Sequence, residues 1–424
     1  MIEFPLDLPE VRVLKTELKK REIVITVEST RSYAICSRCG QKTFEFHSYD
    51  DPIRLRHLPI LEQRVFIELR PKRFRCPTCD DHPTTTQQCD WYEPRSPHTK
   101  AFDQSLLRQL INSTVSDVAR KQGVSYDSVL GAINRGVERS VNWSAFSSLK
   151  VIGMDEIALR KGHRDFVVIV TSLGTDEEIA LLGVLPDRKK ETVVAFLRSI
   201  PPELRASIER VCADMYEGYT NAVKEEVAQA RVVIDRFHVA KAYRECADKL
   251  RKSALRELKQ GLEKEEYKLL KGTMWPFRRN AADLDPEQRE AVDLLLECAP
   301  DLRKAYKLRE ELSAIFDTEQ SKESATRAIT RWIGQVKRSG LKCFDSFLTT
   351  LDNWLDEITN YFLDRQTSGF QEGFNNKIKA LKRRCYGITN ISHLFQRICL
   401  DLEGFKLFGG WDHKILWAFQ QFLK

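Results

Sequence analysis

No apolar run in this sequence approaches the ~20 residues that a membrane-spanning helix needs; the longest are stretches such as FVVIV at residues 166–170. Neither a membrane span nor a membrane partner is expected. The opening MIEFPLDLPE holds no basic region followed by an apolar core, so a secretory signal is not expected either. Eleven cysteines, an odd number, without such a signal argue against a disulfide framework and for reduced thiols and metal ligands. That combination points to the cytoplasm. Internal repeats and low-complexity tracts are lacking, which excludes solenoids and disordered arrays. A large excess of one charge is lacking too. The 68 Lys and Arg against 61 Asp and Glu leave a net charge of +7, which is weak evidence for nucleic acid.

What is present is a globular composition, 42% hydrophobic and 30% charged, over 424 residues, enough for two to four domains. Residues 1–95 carry β-type runs, REIVITVEST and EQRVFIELRPKRFRC, with five of the cysteines. Residues 96–145 read as helices with a turn between them. In 146–240 the runs VIGMD, DFVVIVTSL and EIALLGVL follow one another closely, as in an antiparallel meander. Helix KKETVVAFLRSI, strand RVCAD, helix YTNAVKEEVAQA and strand RVVID come next. Three antiparallel strands followed by βαβ is the order of an RNase H-like fold. Residues 241–362 are charged and helical, with apolar positions such as Val292, Leu295, Leu296 and Ala299 at three- and four-residue steps. Residues 363–424 are expected to complete the core and to add basic helices. The expected fold class is multidomain, α+β and α/β. It comprises an N-terminal zinc-binding β module, a helix-turn-helix, and an RNase H-like core interrupted by an all-helical insertion.

Two CxxC knuckles, Cys36-Ser-Arg-Cys39 and Cys76-Pro-Thr-Cys79, can each offer two thiolates to one structural Zn²⁺. Their separation is longer than in compact fingers, and the β-runs between them can form a hairpin that brings them together. His82 and Cys89 are alternative ligands. Farther on, STVSDVARKQGVSYDSVLGAINRGVER has the form helix, Gly-containing turn, Ser N-cap, helix. Its second helix offers Tyr126, Asp127, Ser128, Asn134 and Arg135 to a DNA groove.

Three carboxylates stand in patterned contexts. Asp155 and Asp214 close short apolar runs read as buried strands, and Glu372 opens the helical stretch QEGFNNKIKALKRR. Clustered carboxylates of this kind hold the divalent cations that clamp the attacking and leaving oxygens of a phosphate. On the last stretch Glu372, Asn376, Lys379 and Arg383 share one face, while Phe374, Ile378, Leu381 and Cys385 share another. From Gly373 onward nine Lys and Arg face three acids, with Lys379, Lys382, Arg383 and Arg384 suited to phosphate. Asp235 also ends a strand, and His238 follows three residues on; they are secondary candidates, as ligand or as orienting groups. Glu156 should point away from Asp155 if the strand is regular. Trp275, Trp332 and Trp354 read as packing residues.

The segments GMDEIALRKGH, CADMYEGY, VVIDRFHVAKA and EGFNNKIKALKRRCYG resemble, in order, those of bacterial insertion-sequence transposases of the DDE type, specifically the ISL-three family. The resemblance implies that Asp155, Asp214 and Glu372 bind two Mg²⁺ ions, or Mn²⁺ in their place, for strand cleavage and transfer. It implies double-stranded DNA as partner, terminal inverted repeats and target alike. A homodimer or higher assembly on that DNA is expected, in a nucleoid-associated cytoplasmic protein. A non-cutting DNA-binding regulator of the same ancestry, or an RNase H-like nuclease without strand transfer, are the alternatives.

Overall fold

A computed structural model describes residues 6, 8–159, 166–174, 178–261, 263–365 and 369–409. It divides into two compact units, Met1–Ser140 with Leu381–Lys424, and Val141–Ala380. No helix among the described residues is long and apolar enough to cross a membrane.

The first unit begins with β1 (Val11–Lys19) and β2 (Glu22–Ser29), and then the short hairpin of β3 (Ala34–Ile35) and β4 (Lys42–Thr43). Next come β5 (Glu45–Tyr49), β6 (Ile53–Ile60), β7 (Gln63–Leu69), β8 (Lys72–Arg75) and β9 (Thr84–Thr86). One sheet has the order β1-β2-β7-β6 and another the order β5-β8-β9. Alternation along β7 turns Val65, Ile67 and Leu69 inward, onto Ile25, Val27, Leu55 and Trp91. The helices α1 (Lys100–Leu110), α2 (Val115–Gln122) and α3 (Tyr126–Gly136) follow. Each starts at a side-chain cap, Thr99, Thr114 and Ser125 respectively. Gly123 ends α2 at φ 63°, a left-handed conformation that a side chain would oppose. Phe102, Leu106, Leu110, Val118, Val129 and Ile133 form the core of this helical domain.

The second unit is built on β10 (Val151–Ala158), β11 (Phe166–Leu173) and β12 (Ile179–Leu185), joined antiparallel. The chain continues through α4 (Lys190–Ser199), α5 (Pro202–Ala206), β13 (Arg210–Ala213), α6 (Glu217–Glu226) and β14 (Arg231–Ile234). The strand order is β12-β11-β10-β13-β14, with β10, β13 and β14 parallel. This is the RNase H-like arrangement expected from the order of elements. Ile152, Met154, Val211 and Ala213 pack on one face with α4 and α6, whereas Val151, Cys212 and Val233 face the helical insertion.

That insertion starts earlier than its charge pattern suggests, since α7 (Arg236–Leu258) leaves β14 directly, with Asp235 as its N-cap. It continues as α8 (Lys264–Gly272), α9 (Pro286–Cys298), α10 (Pro300–Asp317), α11 (Lys322–Ser339), α12 (Asp345–Asn353), α13 (Leu355–Thr359) and α14 (Tyr361–Asp364). Tyr243, Trp332, Phe344 and Phe347 form its aromatic centre, with the Trp332 indole N–H donating to the Leu308 carbonyl at 2.8 Å. Trp275 differs from the packing role expected of it. It is 64% exposed, between the buried Thr273 and Phe277, with the Arg278 guanidinium 5.1 Å from its ring centroid.

Helix α15 (Gly369–Arg384) follows, and α16 (Ile391–Phe408) returns to the first unit. Leu400 of α16 enters the core of the helical domain, and a Cβ at Gly404 would lie 2.7 Å from the Ile111 side chain. The span 363–424, read from sequence as one piece, is therefore shared between the two units.

Candidate active site and zinc centre

Strand β13 pairs with β10 only as far as Gly153–Cys212, then turns away, while β10 runs on beside β11 to Ala158. Asp155 therefore sits inside its strand and not at its end, but at the point where its parallel neighbour stops. The register, continued two residues, sets Asp155 level with Asp214. Likewise, Ala213–Ile234 continued by one sets Asp214 level with Asp235. Residues level in parallel strands point to the same face, here the face covered by the insertion.

Asp155 is half-buried. It accepts from the Glu156 amide at 2.7 Å and from the side-chain amide of Asn375 on α15. Burial, followed by the charge of Asp214, raises its pKa above the ordinary carboxylate value, against the pull of His238 and Lys379. Asp214 is half-buried, with 40% of its side chain exposed, but His238 Nδ1 lies 3.0 Å from its Oδ1, and that bond and charge outweigh desolvation and hold its pKa low. The same pairing raises His238 against its own desolvation. Asp235 is buried and accepts from the Phe237 amide at 2.9 Å as the cap of α7. Glu156 points elsewhere, to Arg188 and the Tyr219 hydroxyl, each at 3.2 Å. Glu372 lies on α15, one helical turn before Asn375; its side chain is outside the described residues.

Asn375 is the member that the sequence reading missed. Two adjacent asparagines follow Phe374, and only packing separates them: Asn375 is 3% exposed, while Asn376 is exposed. Lys379 and Arg383 are exposed, and Lys379 Nζ lies 3.5 Å from Asn376 Oδ1. Lys382 is half-buried. Arg384 is engaged within the protein, by Asp401 of α16.

The four cysteines come together as the knuckles suggest. The hairpin β6–β7 bridges the long gap, Cys36 and Cys39 ride on the β3–β4 turn, and Cys76 and Cys79 follow β8. Their sulfurs all lie within 4.8 Å of one another, with Cys36–Cys79 at 4.0 Å, Cys39–Cys76 at 3.8 Å and Cys76–Cys79 at 3.7 Å. Tetrahedral ligands about 2.3 Å from zinc stand about 3.8 Å apart, so the donor set fits. The Thr78 hydroxyl lowers Cys76 to about 6, and backbone amides of Cys39 and Arg38 lower Cys36. Burial, then hydrogen bonds with the neighbouring sulfurs, pushes Cys79 up to about 12. A cation among the four is what would let all of them ionise. His82 turns its Nδ1 to the Cys76 carbonyl at 3.1 Å, and Cys89 packs against the β-sheet core, so neither joins the cluster.

On the helix-turn-helix, Tyr126 and Asn134 are exposed, and Ser128 is half-buried and accepts from the Ser125 hydroxyl at 3.0 Å. Arg135 is exposed and is paired with Asp103 at 2.8 and 3.0 Å. Asp103 also meets His98 Nδ1 at 2.7 Å.

A family model described as a transposase, of the ISL3 type, matches residues 152–398, more than half of the chain. A zinc-finger model of the transposases of IS204, IS1001, IS1096 and IS1165 matches residues 32–79, and the helix-turn-helix domain of transposase family ISL3 matches 87–137. The chain is 29% identical over 385 residues to the transposase for insertion sequence element IS1001 of Bordetella parapertussis, covering 91% of this chain and 92% of that one. It is 25% identical over 394 residues to the transposase for IS1557 of Mycobacterium tuberculosis, covering 87% and 86%. A Drosophila P element transposase strand transfer complex aligns with a TM-score of 0.39 at 12% identity, over 74% of this chain and 94% of that chain. That likeness is too loose to carry an inference. The resemblance carried by the four ordered segments thus holds along nearly the whole length: the chain belongs to the ISL3 family of transposases, with a zinc ribbon, a helix-turn-helix and a transposase domain in that order.

Proposed function

We propose that this transposase binds the terminal inverted repeats of an insertion sequence and cuts and joins DNA strands in a Mg²⁺-dependent reaction at Asp155, Asp214 and Glu372. The observation that carries the reading is that Asp214 directly follows β13, the parallel neighbour of β10, and its charge acts on Asp155 of β10. Two neighbouring carboxylates, one destabilised as an anion by its burial, suit divalent cations. Glu372, one turn from the asparagine that touches Asp155, would supply the third carboxylate. Two Mg²⁺ ions, or Mn²⁺, would there activate the attacking hydroxyl or water and offset charge on the leaving oxygen. The protein's own part is positional. Asn375 fixes one oxygen of Asp155, His238 fixes Asp214, and Lys379 adds positive charge beside them. Asp235 is then the cap of α7 and an orienting neighbour.

The zinc ribbon and the helix-turn-helix would read the terminal repeats, with Tyr126, Ser128 and Asn134 toward a groove. Asn376, Lys379, Lys382 and Arg383 would contact backbone phosphates. Two element ends processed together favour a homodimer on the DNA, within the bacterial cytoplasm and nucleoid. Incubating the purified chain with a donor duplex carrying the terminal repeats, a target plasmid and Mg²⁺ tests this reading. It requires donor strands joined covalently to plasmid. Binding without cleavage would support a regulator, and cleavage without joining a simple nuclease.

A further inference from the structure

A cavity of about 380 Å³ lies within the second unit, walled by α7 and α10, with residues 278–280 on a third side. Its volume falls in the range of about 300–1,000 Å³ found for small-molecule sites. Four arginines line it, Arg236, Arg244, Arg278 and Arg309, against two aspartates, Asp235 and Asp317. Asp317 is already matched by Arg236 at 2.7 Å, and Asp235 caps α7.

Arg309 is 8% exposed. Its terminal nitrogens donate to the carbonyls of Phe277, at 2.7 Å, and Arg279, and to Glu310. Its Nε is buried and meets no hydrogen-bond partner among the described residues, whereas Arg278 is half-buried and is ion-paired with Asp248. A buried guanidinium nitrogen left without an acceptor is costly, and the planar guanidinium fork matches the several acceptor oxygens of a phosphate. Besides Asn280 and Ser313, the rest of the lining is aromatic and apolar. Phe237 is 40% exposed, with the Arg244 guanidinium 5.9 Å from its ring centroid, and Phe316 and Leu312 lie on the α10 side. Arginines beside open aromatic faces are how proteins hold a base together with its phosphate.

The cavity also has a telling position. Its Arg236 and Phe237 occupy the first turn of α7, whose next residue, His238, holds Asp214. We propose that this cavity binds a single nucleotide, with the phosphate on Arg244 and Arg309 and the base against the exposed ring of Phe237. The nucleotide is either one displaced from the stack of DNA lying at the carboxylates or a free mononucleotide; the recognition chemistry is the same.

Two probes on the full-length protein separate these sources. The first is deoxyadenosine 5′-monophosphate, titrated by calorimetry beside deoxyadenosine and inorganic phosphate. The second is a duplex with one unpaired 2-aminopurine, whose fluorescence falls on stacking against an aromatic ring. At least one probe is expected to bind, and Arg244→Gln to weaken it about tenfold, the loss of one charge-assisted hydrogen bond. Ser313→Trp, which fills the cavity from α10, is expected to abolish it. If Ser313→Trp lowers the melting temperature, Arg244→Gln alone decides. Binding of the monophosphate identifies a free nucleotide, and quenching in the duplex alone identifies a displaced one. Fluorescence anisotropy of the same duplex reports overall DNA affinity, so a failure of the proposed DNA binding is distinguished from a failure of this site. Absence of both signals, signals unchanged in the variants, or inorganic phosphate binding as tightly as the nucleotide would overturn the assignment.

Discussion

Asp155 and Asp214 are neighbours across the sheet with pKa values shifted in opposite directions, and the difference lies in what touches each. Burial dominates at Asp155, whose bonded side-chain partner is a neutral amide; His238 dominates at Asp214. If both carboxylates hold the reaction's cations, removing one forfeits several kcal/mol of charge stabilisation. Asp155→Asn should then slow strand cleavage by on the order of 10³-fold, at about tenfold per 1.4 kcal/mol, in a single-turnover assay with unchanged DNA affinity. Asn375 acts through Asp155. Asn375→Ala should raise the Mg²⁺ concentration for half-maximal cleavage about 10- to 100-fold, with normal far-ultraviolet circular dichroism and partial rescue by excess Mg²⁺. A purely structural asparagine would lower activity at every Mg²⁺ concentration alike. The run VIGMD made Asp155 legible from sequence, because an acid inside an apolar strand needs a reason. Asn375 was not legible, because Phe374-Asn375-Asn376 gives no sign of which amide turns toward the sheet.

Among the elements, the zinc ribbon was legible to the residue, because four thiolates at CxxC spacing have few other uses. One zinc per chain is expected by mass spectrometry under native conditions. Cys39→Ser, at the most exposed ligand, should lose it and destabilise the ribbon, since such a site contributes on the order of 10 kcal/mol. The helix-turn-helix was legible from Gly123 and Ser125, but its reinforcement was not. Gln396 of α16 donates to the Val137 carbonyl at 2.8 Å, and Arg397 donates to the carbonyls of Ser113 at 2.8 Å and Leu110 at 3.1 Å. These bonds satisfy carbonyls at or just beyond the ends of α3 and α1. An amphipathic pattern in ISHLFQRICL says which face is buried, not which distant helices it covers. Arg135 teaches the same lesson, since its position on the recognition helix gave no sign of its ion pair with Asp103.

That pairing has a pH consequence. Burial acts to raise Asp103, and His98 and Arg135 more than reverse it, leaving the folded carboxyl below its ordinary 3.8. Its contribution is therefore full above that ordinary value and lost as the pH falls through the lower folded value. Asp103→Asn should cost about 2 kcal/mol at neutral pH and flatten the acid limb of the unfolding curve of the helical domain. An unchanged acid limb would remove Asp103 from the account.

At the scale of the molecule, the chain strings DNA-binding modules ahead of a nuclease-type sheet, interrupts that sheet's domain with a helical bundle, and returns to the first unit with α16. The order of modules was readable from changes of periodicity; the return was not, since a contact over nearly 290 positions, such as Asn112 with Asp401, leaves no local pattern. A transposase that processes two ends should form a dimer on DNA, seen in sedimentation as two chains per pair of end duplexes. The central claim, that Asp155 and Asp214 form the cutting site while Asp235 caps α7, is tested most directly by single-turnover nicking of a terminal-repeat duplex in Mg²⁺. Wild type, Asp155→Ala, Asp214→Ala and Asp235→Ala would be compared side by side. The account predicts no detectable nicking by the first two variants, and a rate within a few-fold of wild type for Asp235→Ala, whose loss of a helix cap costs about 1 kcal/mol of stability. Nicking retained by Asp214→Ala and lost in a folded Asp235→Ala protein would contradict it.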